Sequence, residues 1–453
     1  MTMTTSRKPR YLELSGMLTP EHEALRDQSH AFAADVMRPA SLELDRMSPE
    51  EVIAPGSPLR QAFSAWYALG QHSAALPSEV GGVGLDPLGQ ALVFEELGWG
   101  AADLAVSLGV AAWPFLFAAT FGLLTGNRRL LDEIVAPFVE DREGKIIGCW
   151  AITEPGHGSD ELGVGTDSFE RPESAGNCRA VRDGSDWVIR GQKAAWVSNG
   201  TIASHALLYC TVDPTRGMAG GGVAVVPLGL PGVSKGAPLD KMGQRALNQG
   251  EIFFDDVRIP GDYMLVGIEE YPGVLDLTLT TANSGMGVIF TGLARSAFEE
   301  ALDYAAARVQ GGKPISDHQL VQTEIFEMFS RVESARALSR AVMARTATDP
   351  SLPHAIASKV TCTRTAFEVA NRAIQVHGGS GLVRGSFVEK LLRDARAALI
   401  EDGVNEFLGL VAARRLAASL PGGSASLQVK PGGGAREPAG SRSVPETPHA
   451  VAS

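Results

Sequence analysis

Two adjacent carboxylates, Glu401 and Asp402, stand in the segment LIEDGVNEF directly before Gly403. A charged helical segment, VEKLLRDARAALI, leads into them, so the acids lie where a helical pattern ends at a glycine. A carboxylate that a bend directs into a protein can act as a general base and remove a proton from a substrate. The same pair at a helix end can also be an ordinary solvated turn, and the segment alone leaves both interpretations open.

The elements around these acids change character twice along the chain. From about Thr19 to Gly144, apolar residues recur at three- and four-residue spacing, which predicts helices. Between residues 145 and 260, short runs rich in β-branched and aromatic residues are bounded by Gly, Pro, Asn or Asp, which is typical of a small antiparallel barrel or sandwich. After Pro260 the helical spacing returns and predicts a bundle. The predicted fold class is therefore α+β with several domains.

These transitions predict four segments with different compositions. They are an N-terminal all-α domain (1–145), a middle antiparallel β-barrel or sandwich domain (146–263), a C-terminal four-helix bundle (264–420) and a disordered tail (421–453). The tail is rich in Gly, Pro and Ser and cannot bury a core. One apolar helix face is predicted to lie inside the bundle, and it consists of Val321, Ile325, Phe329 and Val332.

Composition excludes several classes of protein. The 453 residues carry a net charge of -12, which argues against a nucleic-acid-binding surface. The cysteines, Cys149, Cys178, Cys210 and Cys362, form no CxxC pair, which predicts free thiols in a cytoplasmic protein and no metal site. No apolar segment follows the charged start, so no secretory signal is predicted. The uncharged stretch from Leu104 to Gly126 could span a bilayer, but Trp113-Pro114 divides it and favours two buried helices.

Four segments stand out because their motifs occur in a fixed order. CWAITEPGHGSD (149–160) resembles the TEPxxGSD signature of the acyl-CoA dehydrogenase family, and GQKAAWVSNG (191–200) is similar to its second flavin motif. KMGQRALNQGEIFFDDVRIP (241–260) resembles its barrel-closing strand, and AIQVHGGSGLVRGSFVEKLLRDAR (373–396) its late signature. The resemblance covers the chain from about residue 20 to residue 415. It implies a bound FAD and the dehydrogenation of acyl thioesters.

The resemblance also implies roles for residues of the first two motifs. Thr153 would contact the pyrimidine edge of the flavin, Ser198 would hydrogen-bond near N5, and Trp196 would cover one face of the ring. Ser159 would lie near the pyrophosphate or the thioester. Fixed donors in such places stabilise the negative charge that develops on reduction. Further cofactor contacts are implied for Trp150, Ile152, Gly158, Val404 and Glu406.

Members of this family also bind the FAD of a neighbouring subunit. The residues at the matching places are Arg308, Gln319, Gln375, Val376, Gly378 and Gly379. The resemblance therefore implies a homodimer or homotetramer, an acyl-CoA or acyl-carrier-protein substrate, and an electron-transfer flavoprotein as electron acceptor.

The resemblance assigns the two acids different roles. Counted from Arg393-Asp394-Ala395, the place of the family's catalytic Glu falls on Asp402, and Glu401 is the alternative base. Asp402 is expected to face the flavin, and Glu401 is expected to point away from it. Substrate contacts are implied for Ser159, Thr280, Asn283 and Gly403.

Three departures from the family pattern keep other activities open. Asp402 replaces a Glu, Asn283 replaces an Arg beside the base, and Gly311-Gly312 replaces a Phe-Gly pair. Nitroalkane oxidases, which belong to the same superfamily, also have an Asp and two glycines at these places, but they carry an Arg where this chain has Gly409. The alternatives to a thioester dehydrogenase are therefore a flavin oxidase of a small carbon acid and an FAD-binding protein without redox activity.

Overall fold

The computed structural model of the protein describes residues 18–420. The predicted tail (421–453) and the charged N-terminal segment lie outside the described residues. The first region is helical, with α1 (Pro20–Phe32), α2 (Arg38–Leu44), α3 (Pro49–Ile53), α4 (Pro58–Ala68), α5 (Pro87–Val110), α6 (Trp113–Thr125), α7 (Arg128–Leu130) and α8 (Ala136–Glu140). Helix α1 begins where the sequence predicts, because the Thr19 hydroxyl accepts a hydrogen bond from the His22 N–H at 3.3 Å.

The apolar stretch that could span a bilayer forms helices α5 and α6, which are separated before Trp113. By length and composition the segment Pro87–Thr125 could cross a membrane, but 67% of its most apolar window is buried inside the fold. The prediction of two buried helices is therefore confirmed.

The middle region is a sheet of eight strands, β1 (Gly148–Ala151), β2 (Arg179–Asp183), β3 (Asp186–Lys193), β4 (His205–Thr211), β5 (Gly221–Pro227), β6 (Val233–Lys235), β7 (Ile252–Pro260) and β8 (Met264–Val266). Their spatial order is β6-β7-β3-β2-β4-β5-β8, and β1 pairs with β4 outside this path. The predicted β domain is confirmed, but the sheet is mixed, since β1 and β2 both run parallel to β4. Parallel neighbours need a long connection, and the chain between β1 and β4 provides one that includes the β2–β3 hairpin.

The last region is again helical, with α9 (Tyr271–Ala307), α10 (Gln319–Thr348), α11 (Leu352–His377), α12 (Phe387–Ala398) and α13 (Asn405–Ala418). A short hairpin of β9 (Val309–Gln310) and β10 (Lys313–Pro314) joins the first two helices. The three long helices pack against one another, and α12 and α13 pack on α11. The predicted C-terminal helical domain is confirmed, with two short helices beside the long ones.

Helix α5 crosses α9 at a glycine contact that ties the first region to the last. A Cβ at Gly98 would lie 2.0 Å from the backbone oxygen of Ile289, so only glycine allows this approach. Near the crossing, α5 bends at Ala101, where φ is -165° and ψ is 105°. The bend lets both arms of α5 line the cavity described below.

The predicted core face of α10 is covered at only one end. Val332 is fully buried, whereas Phe329 remains 39% exposed. Two further apolar residues near the start of α10, Leu320 and Phe326, are 84% and 63% exposed. Within the described residues, the start of this helix therefore keeps an open apolar surface. The four cysteines are free, as predicted, and all four are buried.

Candidate active site

A cavity of about 1250 Å³ lies where the three regions meet. Both arms of α5, the end of β1, the loop before β7, helix α9 and the turn after α12 contribute to its wall. Glu401, Asp402 and Gly403 all line it, so the two acids are not a solvated turn on the outside of the protein. Within residues 18–420, no group of three His, Cys, Asp or Glu side chains is arranged to hold a metal ion.

The acid turn, residues 399–405, has a backbone shape that explains its sequence. Asp402 has a φ of 53° and Gly403 a φ of 95°, both in the left-handed region that Asp tolerates and Gly favours. A Cβ at Gly403 would lie 2.8 Å from the Leu408 side chain and 2.9 Å from that of Leu162. The turn closes with a hydrogen bond from the Asn405 N–H to the Leu399 oxygen at 3.1 Å.

A buried lysine holds this turn in place. Lys359, in α11, is fully buried, and its Nζ donates to the Gly403 oxygen and to Asn405 Oδ1, each at 2.8 Å. The Ser159 hydroxyl accepts from the Val404 N–H at 3.0 Å and joins the turn to residues 153–160, the TEP loop. Lys359 was not predicted from the sequence. Its spacing from the buried residues Ala355, Ile356 and Cys362 indicates that it lies on the inner face of its helix.

The two acids differ in their bonding. Glu401 Oε1 accepts from Gln244 Nε2 at 2.6 Å, and Gln244 is itself fixed by its N–H, which donates to Asp394 Oδ1 at 2.5 Å. The Asp402 carboxylate makes no hydrogen bond or ion pair with any of residues 18–420, although Lys359 lies close enough to affect it. Asp402 is therefore the acid with neither oxygen engaged by residues 18–420, whereas one oxygen of Glu401 is already bonded.

Burial changes the protonation of both acids. It raises the pKa of Asp402 to about 6, against the effect of the Lys359 cation, which favours the charged form. It also raises the pKa of Glu401, and the neighbouring Asp402 charge raises it further. Burial lowers the pKa of Lys359, while the Asp402 carboxylate favours its charged form. A carboxylate with a pKa near neutrality is well suited to take a proton from a carbon acid.

Seven of the residues expected to contact the cofactor lie on the wall of the same cavity. They are Trp150, Ile152, Thr153, Gly158, Ser159, Trp196 and Ser198. A buried ion pair joins their two motifs, because Lys193 Nζ donates to Glu154 Oε1 at 2.8 Å and to the Ile152 oxygen at 2.6 Å. The Ala194 N–H also donates to the Thr153 oxygen at 2.8 Å. This ion pair was not predicted from the sequence, since its two residues belong to separate motifs.

Two tryptophans on the cavity wall show that its chemistry fits an FAD ring. Trp196 lines the cavity and is 58% exposed, so a large aromatic face is left open to a ligand. Trp150 Nε1 is buried and has no hydrogen-bond partner among residues 18–420. An aromatic face, an unpaired donor and several hydroxyl groups on one wall fit a planar polar ring such as that of flavin.

The other expected site residues lie away from the cavity. Thr280 and Asn283 are buried in α9 but do not line it, and Thr281 and Ala282 line it instead. Asn283 Nδ2 donates to the Leu279 oxygen of its own helix at 2.9 Å. Successive residues of a helix point about 100° apart. Thr281 and Ala282 therefore face the cavity, while the neighbouring Thr280 and Asn283 point to other sides of α9.

The residues expected to contact a neighbour's cofactor gather near one end of the bundle. They are Arg308, Gln319, Gln375, Val376, Gly378 and Gly379, and none of them lines the cavity. Tyr304 connects two of these segments, because its ring stacks on His377 with 4.2 Å between centroids. Val404 and Glu406 also lie outside the cavity wall, and Glu406 is exposed.

Comparisons with known proteins agree with this architecture. Three family models match the chain: "Acyl-CoA dehydrogenase, N-terminal domain" over residues 19–136, "middle domain" over 149–257 and "C-terminal domain" over 277–417. The human mitochondrial short-chain specific acyl-CoA dehydrogenase is 30% identical over 404 residues, which are 88% of this chain and 90% of that protein. Cyclohex-1-ene-1-carbonyl-CoA dehydrogenase of Geobacter metallireducens is 32% identical over 409 residues, covering 88% of this chain and 98% of that protein.

A solved structure of a similar protein has the same fold. Butyryl-CoA dehydrogenase from Megasphaera elsdenii superimposes with a TM-score of 0.77 at 25% identity and covers 89% of this chain and 100% of that one. The matches run through all three regions that build the cavity. The chain therefore belongs to the acyl-CoA dehydrogenase family and is an FAD-dependent oxidoreductase.

Proposed function

We propose that the protein desaturates an acyl thioester between Cα and Cβ, with Asp402 as the base. The single observation that carries this proposal is the free carboxylate of Asp402 on the wall shared with Thr153, Trp196 and Ser198. Glu401 is less suited to this role, because its Oε1 already accepts a hydrogen bond from Gln244. The proposed base is therefore the residue that the resemblance implies, with Asp in place of Glu.

The turn around Asp402 supports the proton transfer in two ways. Asp402 takes the α-proton from the substrate, and the positive charge of Lys359 behind the turn keeps this carboxylate in the deprotonated form that a base needs. The Asp402 N–H donates to no backbone group within residues 18–420, so it is available to the thioester oxygen. That bond would stabilise the enolate charge as the α-proton leaves. A bound FAD would supply the acceptor for the β-hydrogen, which leaves as a hydride.

The acyl group would extend between α5 and α9. Leu97, Val106 and Gly109 of α5 and Met286 and Ile289 of α9 line this part of the cavity. These apolar walls exclude water from the reacting carbons and favour an apolar acyl chain. The carrier of the thioester is coenzyme A or an acyl carrier protein, and the electrons would pass to an electron-transfer flavoprotein.

A second candidate function is the oxidation of a small carbon acid such as a nitroalkane. The observation that favours it is Asp402 itself, together with Gly311 and Gly312, which take positive φ values of 64° and 81° where the family has a Phe-Gly pair. A third possibility is an FAD-binding protein that has lost this chemistry. These alternatives differ in the substrate that reduces the bound flavin.

Anaerobic reduction of the purified holoenzyme tests all three functions. We expect acyl-CoA thioesters to bleach the flavin absorbance and nitroalkanes to leave it unchanged. Bleaching by nitroalkanes alone would replace the proposal with the second candidate, and bleaching by neither would support the third. Oxygen uptake measured with the reducing substrate then separates an oxidase from a dehydrogenase.

We also propose that the active unit contains at least two copies of the chain. The exposed apolar residues Leu320 and Phe326 lie on the helix that starts with Gln319, a residue expected to contact a neighbour's FAD. A second copy would cover this face and complete the cofactor site.

A further inference from the structure

A chain of three side chains leads along the cavity wall to Ser198. Lys241 Nζ donates to Gln249 Oε1 at 2.8 Å, and Gln249 Nε2 donates to Ser198 Oγ at 3.2 Å and to the Trp196 oxygen at 3.1 Å. All three side chains line the cavity. Neither Lys241 nor Gln249 has a role in the catalytic steps described above.

The direction of each hydrogen bond in this chain is fixed by chemistry. An ammonium group only donates, so the amide oxygen of Gln249 must face Lys241. A backbone oxygen only accepts, so the amide nitrogen must face Trp196 and, beside it, Ser198. The Ser198 hydroxyl oxygen therefore accepts from Gln249. Its own proton is left over, and no acceptor within residues 18–420 takes it.

The backbone holds the members of this chain in register. Ser198 and Gln249 form an isolated antiparallel bridge, and the Asn199 N–H next to it donates to the Asn248 oxygen at 2.8 Å. Lys241 is fixed by a second hydrogen bond from its Nζ to the Leu247 oxygen at 2.7 Å. The amide of Gln249 thus sits between two anchored groups and has little freedom to rotate.

We propose that Lys241 and Gln249 are positioning residues that keep the Ser198 hydroxyl as a hydrogen-bond donor towards the flavin ring. The proposal rests on the proposed function in one respect, namely that the ring lies beside Ser198. A donor held in this direction stabilises the negative charge on the reduced flavin and so raises its reduction potential. The Lys241 cation is the first donor in this series of hydrogen bonds and fixes the orientation of the Gln249 amide.

Replacement of Gln249 by Glu reverses the direction of the hydrogen bond between residue 249 and Ser198. A carboxylate can still accept from Lys241, but it would also accept the Ser198 proton and remove that donor from the flavin. We expect Gln249→Glu to lower the reduction potential of the holoenzyme flavin and to weaken FAD retention about fivefold, as for one lost hydrogen bond. Lys241→Met should act in the same direction, and Lys241→Arg, which still donates, should resemble the wild type.

The deciding measurement is a double-mutant cycle with Ser198→Ala. We expect Ser198→Ala to lower the potential and FAD retention, and Gln249→Glu to add nothing in that background. If Gln249→Glu changes the potential equally with Ser198 present or absent, its effect is one of charge or folding, and the proposal is overturned. An unchanged potential in the single variant overturns it as well.

Two controls test whether added charge or misfolding alone could shift the potential. Gln61→Glu makes the same chemical change at an exposed residue of α4 and should leave the potential and FAD retention unchanged. Far-UV circular dichroism of each variant checks that the fold is retained. The potential is measured with a redox dye and needs no substrate, so the inference can hold even if acyl-CoA thioesters fail to reduce the flavin.

Discussion

The two ends of α11 differ in how completely the chain surrounds them. At one end, Lys359 is fully buried and bonded to the acid turn. At the other, Gln375, Gly378 and Gly379 are exposed. From Lys359 to Gln375 the helix rises about 24 Å. One helix therefore supports a well-anchored acid turn near one end and, about 24 Å away, an exposed surface at the other.

This difference separates two requirements of the site, namely an accurately held base and a cofactor site that a second copy completes. A base must be held to within a fraction of an ångström, which buried contacts from α11, the TEP loop and the Gln244 loop can provide within one chain. At the other end, Gln375, Gly378 and Gly379 are exposed and have no comparable buried contacts within residues 18–420, and we infer that a second copy supplies them. Changes at the acid turn should therefore alter chemistry, and changes at the exposed end should alter assembly and FAD retention.

The largest effect is expected at the acid turn itself. Asp402→Asn keeps the shape of the side chain but cannot accept a proton, so turnover should fall at least about 10²-fold. Bound FAD, measured by absorbance, should be unchanged because the ring contacts lie elsewhere. Equal turnover of Asp402→Asn and wild type, combined with an inactive Glu401→Gln, would show that Glu401 is the base.

The pH profile of the wild type should report the same carboxylate. Burial raises the pKa of Asp402 to about 6, and only the deprotonated acid can act as a base. We expect kcat/KM to be constant above this pKa and to fall about tenfold for each pH unit below it. A profile that is flat down to about pH 4.5, well below this pKa, would exclude Asp402 as the base.

Lys359→Met tests the buried end of α11. The change leaves the Gly403 oxygen and Asn405 Oδ1 without their donor, so the turn should loosen, with turnover reduced about tenfold and a lower melting temperature. The cation favours the charged form of Asp402, so its loss should also move the acid limb of kcat/KM to higher pH. A lower melting temperature without a shift of the pH profile would mean that Lys359 only stabilises the fold.

Leu320→Asp tests the exposed end. A charge on this 84% exposed residue should prevent burial against a second copy, so the mass from light scattering should decrease and FAD should be retained about fivefold less well. Leu124→Asp is a matched control, because Leu124 is 75% exposed on α6. If both variants keep the wild-type mass, α10 does not form the interface.

The smallest effect is expected for Glu401→Gln. Its carboxylate is bonded to Gln244, and an amide can keep that contact by presenting its oxygen to Gln244 Nε2. Turnover should change by less than about threefold, since the hydrogen bond is retained. A loss comparable with that of Asp402→Asn would mean that both acids take part in proton transfer.

Much of the site could be predicted because it depends on local sequence. Thr153, Trp196 and Ser198 belong to motifs whose types and order are recognisable without a structure, and each lines the cavity. Lys359, Gln244 and Gln249 were not predicted. Each acts through a partner from a distant part of the chain or from a neighbouring loop, and spacing along the chain contains no information about such contacts.

The sequence by itself determined the order of helical, β and helical regions, because the periods of 3.6 and 2 residues are local properties of the chain. It also determined the bend at Asp402-Gly403, because a glycine at this place permits the left-handed backbone. Only the tertiary structure decided which acid is free. Both acids line a cavity that all three regions enclose, but Glu401 is bonded to a side chain 157 positions away, whereas the Asp402 carboxylate has no hydrogen-bond partner within residues 18–420. Such contacts arise only when the regions pack together.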